Sequence, residues 1–83
     1  MMVLKNIKMN NEFIECDYYP EGNEPSGFMR VRISDGEEDY HVRPNGERIC
    51  YGTSHVRREL ERLASKYASN LTALPSKSTV MWY

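Results

Sequence analysis

Apolar and polar side chains alternate along the first half of the chain with the period of an extended strand, then switch to a helical period after residue 52. Val3 to Met9 predicts a strand ending at Asn10-Asn11. From Glu12 to Tyr19, Ile14, Cys16 and Tyr18 fall on one side and Phe13, Glu15 and Asp17 on the other. Pro20 to Gly27 holds two prolines and two glycines and reads as a longer loop. Phe28 to Ser34 again alternates, with Met29, Val31 and Ile33 opposed to Arg30 and Arg32. Asp35-Gly36 is a two-residue hairpin signal, and Asn45-Gly46 is a second one before Ile49 and Tyr51.

These turns predict registers. A hairpin centred on Asp35-Gly36 pairs Val31 with Tyr40 and Met29 with Val42, so Tyr40 and Val42 join the apolar face. A hairpin centred on Asn45-Gly46 pairs Val42 with Ile49 and Tyr40 with Tyr51, and keeps the same face. Because side chains alternate with a period of two, a slip of one residue turns a strand over, so this agreement has content.

Val56, Leu60, Leu63, Ala64, Tyr67 and Leu71 then make one helical stripe, with Ser54 as the expected N-cap, Asn70 near the end and Pro75 as a stop. Thr79-Val80-Met81-Trp82-Tyr83 is β-branched and aromatic and predicts a last strand at a sheet edge, with Met81 or Trp82 packed inward. The expected fold is a single α+β domain over residues 1–83, an antiparallel β-meander in the order β-β-β-β-β-α-β with one amphipathic helix on one face.

Composition narrows the function classes. Eighty-three residues support one modest core. Charged residues make up 28 % of the chain but balance to a net charge of −1, which argues against a general nucleic-acid binder. No apolar run approaches a membrane span, and the start of the chain lacks the apolar core of a signal peptide, so a cytoplasmic protein without a membrane partner is expected. With two cysteines, Cys16 and Cys50, free thiols are the expectation.

Chemistry-bearing clusters are weak. Phe28, Arg30, Arg43 and Arg48 on the outer sheet face could stack bases and contact phosphates. The predicted register, however, places Glu15 opposite Arg32, Asp17 opposite Arg30 and Asp39 opposite Arg32, leaving Arg43 and Arg48 without acids. His41 and Cys50 fall opposite each other on that outer face, but the two residues complete neither a metal site nor a nucleophile with a cleft around it. Glu37, Glu38 and Asp39 lack calcium-loop spacing, and no glycine lies in a phosphate-loop pattern. The helix arginines leave room for an acidic partner. No cofactor, metal or catalytic set is expected.

The ending Leu74 to Tyr83, LPSKSTVMWY, resembles that of a group of small bacterial proteins without an assigned activity. In that group a short first hairpin, a Gly-Phe or Gly-Tyr strand start and a helix precede a terminal TVMWY. Gly27-Phe28, the Val56 to Leu71 helix and Thr79 to Tyr83 match this layout. The resemblance implies a compact bacterial cytoplasmic protein carried on mobile genetic elements, and implies no catalytic residue or cofactor.

The expectation for function is a noncatalytic protein-interaction or regulatory module. It would bind a protein partner or a second copy through Val80, Met81, Trp82 and Tyr83. A nucleic-acid-associated protein using Phe28, Arg30, Arg43 and Arg48 is the alternative.

Overall fold

The computed structural model describes residues 1–22, 24–44 and 53–81. Its elements are β1 (Met2–Met9), β2 (Phe13–Pro20), β3 (Gly27–Arg32), β4 (Glu38–Val42), α1 (Thr53–Tyr67) and β5 (Lys77–Val80), with a short 3-10 turn at Leu71–Ala73. The strands form one antiparallel sheet in the order β4-β3-β2-β1-β5, and α1 packs on it, giving the expected α+β class. The first four strands meander across the sheet. The chain then crosses by way of α1 and returns as β5 at the far edge, beside β1. The additional strand expected before the helix, together with the Asn45-Gly46 turn, Ile49 and Tyr51, lies outside the described residues.

One sheet face makes the core. Met2, Leu4, Ile7, Ile14, Cys16, Tyr18, Met29 and Val31 meet Val56, Leu60, Leu63 and Ala64 of α1, all buried. Fully burying a side chain of this size stabilises by about 1.5–3 kcal/mol, which a lone helix of this length requires to form. Tyr67 packs at the margin of the core. The helix begins at Thr53, so Ser54 sits inside its first turn rather than at the N-cap. It ends at Tyr67, before Asn70, and Leu71 is 45 % exposed instead of extending the apolar stripe.

The alternation in β1 is broken once. Lys5 pairs with Asp17 and Lys8 with Glu15, so Asn6 and Ile7 together oppose the single residue Cys16. This is a β-bulge. Asn6 adopts φ of 55°, a left-handed conformation that asparagine tolerates better than most residues, and its side chain donates to Asp17 Oδ2 at 2.8 Å. The extra residue turns Ile7 into the core and Lys8 out of it. At the β1–β2 turn, Asn10 Oδ1 accepts from the amides of Glu12 and Phe13 at 2.8 Å each.

The β3–β4 connection overturns the predicted register. Phe28 pairs with Val42, Met29 with His41 and Arg30 with Tyr40, with an irregularity before Val31 meets Glu38. Asp35-Gly36 is part of a wider loop rather than a two-residue hairpin. The Gly36 amide donates to the Arg32 carbonyl at 2.8 Å, the Arg32 amide to the Glu37 carbonyl at 2.8 Å, and the Glu37 amide to Asp35 Oδ1 at 3.0 Å. Gly36 takes the positive φ, 70°, in this loop. The resulting one-residue offset turns β4 over while β3 keeps its predicted faces. Tyr40 and Val42 therefore lie on the outer face, 55 % and 45 % exposed, and His41 points to the core side, its side chain 7 % exposed.

His41 ties the edge strand to the centre of the sheet. The hydroxyl of the buried Tyr18 lies 2.6 Å from His41 Nε2, and His41 Nδ1 lies 2.6 Å from Glu38 Oε1. The consistent assignment has Tyr18 donating to Nε2 and Nδ1–H donating to the carboxylate. Tyr18 faces its register partner Gly27 so closely that a Cβ on Gly27 would stand 2.3 Å from the ring. Cys16, buried beside these residues, has its thiol pushed up to about 12 by burial, with the charges of Asp17 and Glu15 adding to the effect. It is an inert core residue.

Gly27→Ala should lower unfolding stability by about 1–3 kcal/mol, because the added methyl overlaps a ring whose hydroxyl is held by His41. Urea unfolding followed by circular dichroism measures this. A midpoint unchanged from wild type would show that the Tyr18 ring moves aside at no cost.

Candidate interaction surface

The face of the sheet away from α1 carries Val3, Lys5, Lys8, Phe13, Glu15, Asp17, Tyr19, Phe28, Arg30, Tyr40 and Val42. The registers β1–β2, β2–β3 and β3–β4 bring them together. Arg30 is its centre. Its guanidinium lies 5.7 Å from the ring centroids of both Phe13 and Phe28 and forms ion pairs with Glu15 at 3.5 Å and Asp39 at 3.8 Å. Phe28 and Tyr40 meet edge-on with centroids 6.0 Å apart, and the Lys5 ammonium sits 4.7 Å from the centre of the Tyr19 ring.

This arrangement corrects the sequence expectations in detail. Glu15 and Asp39 both serve Arg30, Asp17 lies opposite Phe28, and Arg32 lies opposite Phe13 with Asp35 at 3.5 Å. The acids do neutralise the arginines, but through different pairs, because the β2–β3 and β3–β4 registers differ from those expected. Arg43 is exposed just beyond β4. Arg48 and Cys50 lie outside the described residues, and His41 faces away from the outer surface where it was expected. Phe28 and Arg30 of the nucleic-acid alternative do share one face, but they share it with the carboxylates of Glu15 and Asp17, and Asp39 also reaches Arg30.

A second surface lies at the β5 edge. β5 pairs with β1 through Met2–Val80, Val3–Thr79, Leu4–Ser78 and Lys5–Lys77, and among the described residues no strand pairs with its other side. Val80 packs against the core margin. Of Met81 and Trp82, one of which was expected to pack inward, Met81 is 57 % exposed, as the strand alternation that turns Ser78 and Val80 inward would leave it. Trp82 and Tyr83 lie outside the described residues.

A polar clamp fixes β5 to the helix. The Ser78 hydroxyl donates to Glu59 Oε2 at 2.7 Å, and Arg62 grips the same carboxylate with Nε on Oε1 and an NH2 group on Oε2, both at 2.7 Å. Glu59 is only 12 % exposed while Arg62 is 55 % exposed. The Arg62 hydrogen bond holds the Glu59 carboxyl below its ordinary value of 4.5, outweighing burial, and the Ser78 hydroxyl and the charges of Arg62 and Lys66 assist. Glu59 and Arg62 could have been paired from their spacing of three on a helix. The Ser78 contact could not, since it joins residues brought together only by the fold.

A cleft of about 540 Å³ opens between the β3–β4 loop and α1, floored by Ile14, Val31, Ile33 and Ala64. Its charged lining is already paired, Arg32 with Asp35 at 3.5 Å and Glu61 with the neighbouring Arg57 at 3.1 Å. Among the described residues no group of three or more histidines, cysteines or carboxylates could hold a metal ion, and no helix is long and apolar enough to cross a membrane.

In class, then, the described residues form an antiparallel sheet with one α-helix on one face, an aromatic and charged opposite face, and β5 at one edge. No family model, curated protein or solved structure matches the chain.

A depressed folded-state pKa means that Glu59 stabilises the fold fully above its unfolded value and that this contribution is lost as pH falls. Wild type should therefore lose more stability than Glu59→Gln between about pH 5 and pH 3, the window around an unperturbed glutamate. Urea midpoints measured across that window would converge as pH falls. Parallel acid limbs would show that the clamp makes no ionic contribution.

Proposed function

We propose that this domain is a noncatalytic protein-interaction module whose contact surface is the outer edge of β5, with its last residue Val80, and the residues that follow it, Met81, Trp82 and Tyr83. The observation that carries the reading is the backbone side of β5 that no described strand pairs with, beside an exposed Met81. An edge strand offers a row of amides and carbonyls to any extended segment, and main-chain hydrogen bonds supply affinity when such a segment adds to the sheet. The Glu59–Ser78 clamp supports the reading as well, because a pre-ordered edge loses less entropy on binding than a frayed one.

The nucleic-acid alternative has less support. Its central residue, Arg30, already makes ion pairs with Glu15 and Asp39, and a phosphate would have to displace both. The aromatic rings around Arg30 serve equally well to cover its guanidinium.

Removal of Thr79 to Tyr83 takes half of β5 and should abolish either folding or association, as read by circular dichroism and sedimentation. Met81→Asp separates the two outcomes. It should leave the thermal unfolding midpoint within about 2 °C of wild type, as expected for an exposed site, and should remove cross-links between β5 and partner proteins in cells of the native host. A truncated chain that stays folded with unchanged sedimentation and an unchanged cross-linking pattern would exclude the tail as a contact surface.

A further inference from the structure

The charges around the β5 edge are unlike those of the rest of the molecule. The chain as a whole has a net charge of −1, yet the side of α1 that reaches β5 carries Arg62 and Lys66, and β5 itself carries Lys77. Arg62 stands at the clamp through Glu59, and Lys66 acts on the same carboxylate. The single acid among them, Glu59, is largely buried and already held by Arg62 and Ser78. Lys77 lies opposite Lys5 across the β1–β5 pair, and since Asp17 faces Lys5 from the β2 side, Lys77 is the outermost charge of that row.

The cations also lie on both sides of the edge. Lys77 shares the outer face with Lys5, while Arg62 and Lys66 stand on the helix side with Ser78. A strand added beside β5 projects alternate side chains to these two faces. Carboxylates in either phase of the added strand would therefore meet a cation. A second copy of the chain would instead bring Lys77, Arg62 and Lys66 against themselves, and no long-range attraction would steer it there.

Resting on the reading of β5 as the contact edge, we propose that its occupant is an extended acidic segment of a protein partner, added to the sheet as a sixth strand. Backbone hydrogen bonds to β5 hold the segment, and Lys77 and Lys66 select its carboxylates, Arg62 being engaged with Glu59.

The test uses the full chain and a short fluorescein-labelled peptide alternating threonine and glutamate, followed by fluorescence polarisation. Controls are the same peptide with lysine for glutamate, two versions N-methylated along one backbone edge or the other, and a short oligothymidylate. The acidic peptide should bind, the lysine peptide should not, and one of the two methylated versions should lose binding. Lys66→Glu with Lys77→Glu should weaken the acidic peptide by about tenfold, the sum of two exposed charge contacts, with unchanged circular dichroism.

Equal binding of the lysine peptide, with methylation still blocking it, would overturn the acidic chemistry while leaving β5 as the contact edge. Binding indifferent to methylation at both edges would overturn strand addition. Tighter binding of oligothymidylate, or a concentration-dependent dimer that the acidic peptide fails to dissociate, would assign the edge to another occupant. No peptide binding at all, together with no effect of Met81→Asp on cross-linking, would remove both this inference and the contact edge on which it rests.

Discussion

A single helix can cover one face of a five-stranded sheet, and every other feature of this domain follows from that one-sided burial. The helix stripe Val56, Leu60, Leu63 and Ala64 meets the inward positions of β1, β2 and β3. β2, at the centre of the sheet, supplies Ile14, Cys16 and Tyr18, all fully buried. The pleat then forces the intervening residues into water, and their chemistry has to suit that exposure. Phe13, Phe28 and Tyr40 do so by enclosing Arg30, which in turn holds Glu15 and Asp39.

Two local irregularities keep the two faces sorted. The Asn6 bulge brings Ile7 into the core after an odd number of residues, and the wide Ile33–Glu37 loop does the reverse to β4, sending Tyr40 and Val42 outward. Each costs some ladder regularity and each is held by side chain hydrogen bonds, Asn6 to Asp17 and Asp35 to the Glu37 amide. Because β4 then offers the core a histidine rather than a tyrosine and a valine, its docking depends on polar contacts, Tyr18 to His41 to Glu38. Buried polar groups of this kind are tolerated only when satisfied, and the missing Cβ of Gly27 leaves the room in which the Tyr18 ring lies while its hydroxyl reaches His41.

The opposite edge uses a different device. β5 is short and contributes little apolar area, and the Glu59–Ser78–Arg62 clamp fixes it in place. Hydrogen bonds to a charged group are directional where hydrophobic burial is not, so the Ser78–Glu59 bond sets the position of the strand as well as its stability. The same clamp gathers Arg62 and Lys66 beside an edge that no other described strand pairs with. Structure and candidate function thus share one set of residues at β5, whereas on the open face the charged residues are largely occupied with one another.

Much of this fold was legible in the sequence because alternation and helical periodicity are local properties. The core positions of β2 and β3 and the α1 stripe to Tyr67 follow from spacing alone, while the terminal strand, expected over Thr79 to Tyr83 from its composition, lies at the sheet edge over Lys77–Val80. What spacing leaves open is parity across a turn. Asp35-Gly36 has the composition of a two-residue hairpin, and only the closed loop, with Gly36 bonded back to Arg32, decides that β4 is turned over and that His41 faces Tyr18. The ion pairs of Arg30 and the Ser78–Glu59 bond are equally nonlocal, since 19 residues separate the latter two and tertiary packing alone brings them to 2.7 Å. Sequence determined which residues can be buried; the tertiary structure decided which polar residues meet, because a hydrogen bond requires exact juxtaposition and burial requires only a side.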